Sequence, residues 1–268
     1  MKSAEPVAFY TSTTPSGGSR EIVESTPATA GPWNPRAQHG GPPAALLVRA
    51  LERVEEGTDR VIGRFTMDLL GPVPVGPLWV EARVLRPGRS VSLREAVLYD
   101  ARDRAVARGQ AWAFPQHADG PATPSAPPAH GPEDGHPADL PAGWHRGYLD
   151  AVEWSWIEGS VTTPGSAVVW MRPLHPLVDG EQMTPWQRLL CCVDSASGVS
   201  AALDPAAWAF LNTDLTVHVF RPPEGEWVCL EARTELGPGS VGLAAARISD
   251  RNGAVGRSAQ ALLVTPVR

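Results

Sequence analysis

Two stretches of this chain have residue types and spacing that could do chemistry. In DLTVHVF, Asp214 to Phe220, strand alternation puts Asp214, Thr216 and His218 on one face and Leu215, Val217 and Val219 on the other. That polar face offers a carboxylate able to take a proton. The second stretch is His39-Gly40-Gly41, which opens the segment HGGPPAALLVRALERVEEG. Prolines at the first turn and Leu47, Ala50, Leu51 and Val54 at helical spacing predict a helix of about 13 residues, closed by Gly57. The unpaired N–H groups at such a helix start, together with the helix dipole, favour negative charge, and glycines let a ligand approach closely.

Other chemistries find little support. The odd set Cys191, Cys192 and Cys229, two of them adjacent in an apolar run, suggests small core residues and neither a disulfide framework nor a metal cluster. His130 and His136 bracket Glu133 and Asp134, but this tract is rich in proline, and solvated side chains are the expectation there, with no metal site. No G-x-S-x-G elbow is present, so no serine hydrolase is expected. A net charge of −6 without a basic run disfavours nucleic acid. With 43% hydrophobic and 19% charged residues and no apolar run of membrane-spanning length, a globular protein off the membrane is expected. The opening MKSAEPVAFY lacks the basic and apolar regions of a secretion signal, which predicts a cytoplasmic location.

The elements that would position these residues come in two copies. Shifting the sequence by 150 residues pairs Arg64–Ala111 with Asp214–Ala261. It aligns Thr66 with Thr216, Pro72 with Pro222, Glu81-Ala82-Arg83 with Glu231-Ala232-Arg233, Asp100 with Asp250 and Gln110 with Gln260. A period this long indicates duplicated domains, since solenoid repeats recur every ~20–50 residues. Each copy reads as hairpin, helix and antiparallel meander. In the first, a hairpin over Val7 to Glu24 turns at Pro15 to Ser19, the helix follows, and strands fall near Val61–Leu70, Leu78–Arg86, Ser90–Asp100 and Ala105–Phe114. In the second, a hairpin spans Val152 to Met171, and Thr184-Pro185-Trp186-Gln187 caps a helix running through Leu189, Leu190, Val193 and Ser197 to Gly198. The expected domains are residues 1–114 and 144–268, joined by a proline-rich and mobile linker, 115–143.

A sheet wrapped around one helix, occurring twice, resembles the hot-dog fold in its double form. The fold class implied is α+β, with two tandem antiparallel sheets each wrapped around a central helix. HGGPPAALLVRA (39–50), DLTVHVFRPP (214–223) and DRNGAVGRSAQALLV (250–264) are similar to the acyl-CoA thioesterase II type within the thioesterase-like superfamily. The resemblance implies hydrolysis of an acyl thioester, acyl-CoA as partner, and no cofactor. It assigns Asp214, seven residues before Arg221-Pro222, as the base for an attacking water and Gln260 as the amide that orients it. A hydroxyl, Thr234 or the nearby Ser240, would be the third contact. Gly40, Gly41 and His39 would bind the thioester carbonyl. Because Asp214 aligns with Arg64 while Gln260 aligns with Gln110, one active site per chain is expected, completed by the first copy's helix start. The two halves should pair into one continuous sheet, and a homo-oligomer is open. The alternatives are a non-hydrolytic acyl-binding or structural member of the fold, or a pathway-specific dehydratase or cyclase.

Overall fold

The period-two runs form strands and the two apolar 3.6-period runs form the helices they enclose. The structure is a computed structural model and describes residues 8–13, 20–54, 59–117, 120–137, 140–141, 143–204 and 206–267. The turn expected at Pro15 to Ser19 and the helix stop at Gly57 lie outside these residues.

The first half contains β1 (Tyr10–Ser12), β2 (Glu21–Ser25), α1 (Gly41–Arg53), β3 (Arg60–Leu69), β4 (Pro77–Arg86), β5 (Ser92–Asp100) and β6 (Ala105–Pro115). The second contains α2 (Gly147–Asp150), β7 (Val152–Ser160), β8 (Thr163–Pro173), α3 (Pro185–Val193), α4 (Ala196–Val199), β9 (Trp208–Asn212), β10 (Asp214–Val219), β11 (Val228–Leu236), β12 (Val241–Asp250) and β13 (Gly253–Pro266).

All strands join one antiparallel sheet, ordered β1-β2-β4-β5-β6-β3-β10-β13-β12-β11-β8-β7, with β9 pairing β13. The two halves meet at β3 and β10, where Thr66 lies directly opposite Thr216. These are the residues that the 150-residue shift superposes, so a pseudo-twofold axis passes between them. The halves are thus two hot-dog units fused edge to edge, the double form expected. The outermost strands are not left bare: Phe9 and Tyr10 donate backbone bonds to Pro176 and Leu177, and His136 bonds with Trp156 of β7.

Helix α1 is buried along its length from Gly41 to Leu51 and packs against α3 and the sheet. Fully burying each of Leu46, Leu47 and Leu51 contributes about 1.5–3 kcal/mol. Gly109 lets β6 approach, since a Cβ there would lie 3.3 Å from the Leu47 Cβ. Arg49 is buried between Glu181 and Glu21, with its Nε and Nη2 donating to Glu181 at 2.8 and 2.7 Å. Glu52 accepts from Thr184 and Gln187 at the start of α3. Both contacts tie α1 to the segment that enters α3.

Two features depart from the sequence expectation. The second helix is broken: α3 ends at Val193 and α4 begins at Ala196, instead of one helix running to Gly198. The linker is docked along its described part. Ser125 Oγ accepts from Ala254 N, Trp170 Nε1 donates to His130 O, Ser155 Oγ donates to Pro132 O, and Glu133 pairs with Arg251. Its backbone groups meet partners on the second half, which offsets the entropy of ordering a proline-rich chain.

Candidate active site

A cavity of about 510 Å³ opens where the entrance to α1 meets the break between α3 and α4. Most of its wall is apolar, including Trp33, Trp144, Trp154, Trp156 and Phe210, and a small polar group consisting of His39, Gly40, Asp194 and Asn212 sits at one place. Apolar walls with a few convergent polar groups are the common form of a ligand site.

The loop before α1 is held by its own histidine. His39 Nδ1 accepts from Gly41 N–H at 3.0 Å, and the ring stacks on Tyr148 with centroids 3.8 Å apart. Burial lowers the His39 pKa from its usual value, against a smaller raising effect of Asp194. The ring is therefore neutral near pH 7, with its proton on Nε2 and Nδ1 free to accept. The 3.4 Å approach of Nδ1 to Asp194 Oδ2 is then a contact between a neutral ring and a carboxylate, not an ion pair. Pro42 and Pro43 have no N–H to offer at the helix start. Gly40 N–H, facing no acceptor among the described residues, is the free donor at the helix's positive end.

Asp194 closes α3 as its C-cap and is buried, its side chain only 3% exposed. Its Oδ1 accepts from Asn212 Nδ2 at 2.8 Å and from Gln260 Nε2 at 3.2 Å. Gln260 also bridges the helix break: Nε2 donates to the Asp194 backbone oxygen at 3.0 Å and Oε1 accepts from Ser197 N at 3.1 Å. The fully buried amide thus replaces the helical bonds that the break loses. Thr234, two strands over in the same row through Ala244, lies 2.8 Å from Ser200 Oγ, and Ser200 Oγ donates to Ala196 O. Ser240 is exposed, and among the described residues it contributes only a backbone carbonyl, to Val264 N.

The predicted residues are therefore brought together unevenly. His39 and Gly40 line the cavity, with Gly41 directly behind them. Gln260 and Thr234 converge on the α3–α4 break from behind it. Asp214 does not join them. Its Oδ1 accepts from Ala261 N at 2.7 Å on the outer side of the sheet, where it faces Asp68 across the β3–β10 seam. A change of phase at Thr213 is the reason. Phe210 and Asn212 face the helices, and so do the fully buried Leu215 and Val217, so one extra residue falls between them. An extra residue moves the next side chain to the other face. The first half has the same irregularity at Gly63, between Ile62 and Arg64, at the equivalent position.

Asp194, the carboxylate in contact with Gln260 and Gly40, was missed because it sits in an apolar helical run. With the helix expected to run on to Gly198, nothing local marked Asp194 as a helix end; the break shows it to be a carboxylate at a helix C-terminus, against the negative end of the dipole, a violation expected at sites of function.

Residues 29–114 match the family described as acyl-CoA thioesterase N-terminal domain, and residues 132–264 match the acyl-CoA thioesterase C-terminal domain. No curated protein matches the chain. Among solved structures, a candidate thioesterase II from Thermobifida fusca is 19% identical with a TM-score of 0.74, over 97% of this chain and 96% of that one. A hot-dog protein of unknown function from Alicyclobacillus acidocaldarius is 17% identical, with a TM-score of 0.73 and 94% of each chain covered. The acyl-CoA thioesterase II TesB2 of Mycobacterium marinum is 16% identical, with a TM-score of 0.62 and 92% of each chain covered. Among the described residues, no helix is long and apolar enough to cross a membrane.

Proposed function

The chain belongs to the acyl-CoA thioesterase family and is a hydrolase, and we propose that it cleaves acyl-CoA thioesters in this cavity with Asp194 as the base. The observation that carries the reading is the contact of Asp194 with both Gly40 and Gln260, which joins a carboxylate, an N–H at a helix start and an orienting amide. The thioester carbonyl lies toward Gly40 N–H, which polarises it and stabilises the oxyanion as it forms. Asn212 and Gln260 occupy Asp194 Oδ1, leaving Oδ2 to accept a proton from water. The water oxygen bonds to the acyl carbon, the C–S bond breaks as the tetrahedral species collapses, and the proton held by Asp194 passes to the departing sulfur. The products are a carboxylic acid and a free thiol. His39 keeps the glycine loop in shape, and Gln260 and Thr234 hold the helix break that carries Asp194.

Sequence reasoning puts the base at Asp214, and one experiment separates the two carboxylates. Thiol release from a panel of acyl-CoAs should fall by about 10²–10⁴-fold in Asp194→Asn and stay within a few fold of the parent in Asp214→Asn. The reverse ranking would return the role to Asp214. Binding of acyl-CoA without thiol release by the parent protein would favour the non-hydrolytic alternative.

A further inference from the structure

An attacking water has two hydrogens to place, and a base takes only one. A neutral acceptor close to the base, receiving the second, leaves a lone pair aimed at the acyl carbon. Gln260 cannot supply that acceptor. It is fully buried and both ends of its amide are engaged, Nε2 on Asp194 and Oε1 with Ser197 N–H. Other acceptors of the cavity lining are also taken: Gln38 Oε1 by the Tyr10 hydroxyl, Asn34 Oδ1 by Arg36 N–H, and His39 Nδ1 by Gly41 N–H. Ser197 lines the cavity too, but its bond there is the backbone N–H to Gln260, one step removed from the carboxylate.

Asn212 differs on each count. It stands on β9, lines the cavity and is only partly buried. Its Nδ2 donates to Asp194 Oδ1 at 2.8 Å, and because a carboxylate only accepts, that contact fixes which end of the amide faces the base. The other end, Oδ1, has no partner among the described residues and, unlike a sealed polar atom, keeps accessible surface. The open space beside Asn212 and the nearly buried Asp194 is the cavity.

We propose that Asn212 is a catalytic residue, whose Oδ1 receives the second hydrogen of the water that gives its first to Asp194 Oδ2. The proposal rests on the thioesterase reading with Asp194 as the base, and adds the group that aims the nucleophile. The water oxygen bonds to the acyl carbon as one proton passes to Asp194, and the hydrogen on Asn212 Oδ1 stays behind as the hydroxyl of the acid. The C–S bond then breaks, and Asp194 gives its proton to the sulfur.

Methanol tests this, because it has one hydrogen to give. In its attack that hydrogen goes to Asp194, a methyl group lies where water would reach Asn212 Oδ1, and the product is a methyl ester in place of the acid. In a methanol–water mixture, with hexanoyl-CoA or phenylacetyl-CoA as the probe, the ratio of ester to acid does not depend on how much of a variant is folded. The parent should form ester well below methanol's share of the mixture, since the methyl group leaves Oδ1 unpaired. Asn212→Leu keeps the shape and removes the acceptor, so the ratio should rise about tenfold, with kcat for hydrolysis lowered and KM nearly unchanged. Asn212→Ala, read the same way, stands in should the leucine variant fail to fold.

An unchanged ratio would mean that Asn212 only steadies Asp194, because a weakened base slows both products alike. That result, or ester at or above methanol's share in the parent, would overturn the proposal and leave the hydrolase reading intact. A ratio that rises in Ser197→Ala and not in the Asn212 variants would overturn it in favour of the Ser197 hydroxyl. A parent protein that releases no thiol, or hydrolysis untouched in Asp194→Asn, would overturn it together with the reading it rests on.

Discussion

Gly40 and Asp194 touch across the two halves of the molecule: a methyl group on Gly40 would lie 2.6 Å from Asp194 Oδ2. The helix entrance of the first half is thus shaped against the carboxylate of the second. Neither half contains the polar site alone.

This contact makes an alanine scan of the glycine loop informative. Gly40 has φ −69°, which any residue can adopt, so Gly40→Ala should act through crowding of the carboxylate and not through backbone strain. We expect thiol release to fall at least tenfold with a loss of stability of about 1–3 kcal/mol. Gly41→Ala should be worse for folding, because the new carbon would lie 2.2 Å from the Cys191 backbone oxygen, which cannot turn away. Urea unfolding of both variants beside their thiol release checks the order.

The two duplicated glutamines should respond differently to removal. Gln260→Leu strands the Ser197 N–H and the Asp194 carbonyl in a buried place, each costing about 1–3 kcal/mol. Gln110 is half-buried, and its contact with Glu95 is long at 3.4 Å, so Gln110→Leu should cost under about 1 kcal/mol. As a positioning residue for Asp194, Gln260 should affect kcat more than KM. Equal stability losses in the two variants, with kcat untouched in Gln260→Leu, would contradict the bridge described.

Acid should loosen the glycine loop through His39. Its folded pKa lies below the unfolded value near 6.5, because burial disfavours the charged ring more than Asp194 favours it. The unfolded chain therefore binds more protons in this window, and stability rises with pH there. The His39 contribution is complete above about pH 6.5 and declines as pH falls through the folded pKa. Protonation also puts a hydrogen on Nδ1, which can then no longer accept from Gly41 N–H. Unfolding free energies between pH 7.5 and 5 should fall more steeply for the parent than for His39→Gln.

Much of the architecture could be read from local pattern. Strands expected near Leu78–Arg86, Ser90–Asp100 and Ala105–Phe114 form at Pro77–Arg86, Ser92–Asp100 and Ala105–Pro115. The helix expected to open at His39-Gly40-Gly41 begins at Gly41, and Thr184 caps α3 by accepting from Gln187 N. These features rest on alternation, capping and turn residues, which act over a few residues. The break after Val193 had no such signal, since its replacement bonds come from Gln260, far along the chain.

What the sequence by itself determined is the duplicated hairpin, helix and meander plan, the helix opening with paired glycines, and the placement of Gln260 within the last strand. All follow from periodicity and from comparing one copy with the other. Only the tertiary structure decided which carboxylate joins them. One irregular residue at Thr213 turns Asp214 to the outer side of the sheet. Chain crossing brings Asp194, buried in an apolar run, against Gly40 and Gln260. The face of a strand beyond a bulge, and the meeting of residues from three distant elements, depend on how sheet and helices pack, and no local pattern encodes that.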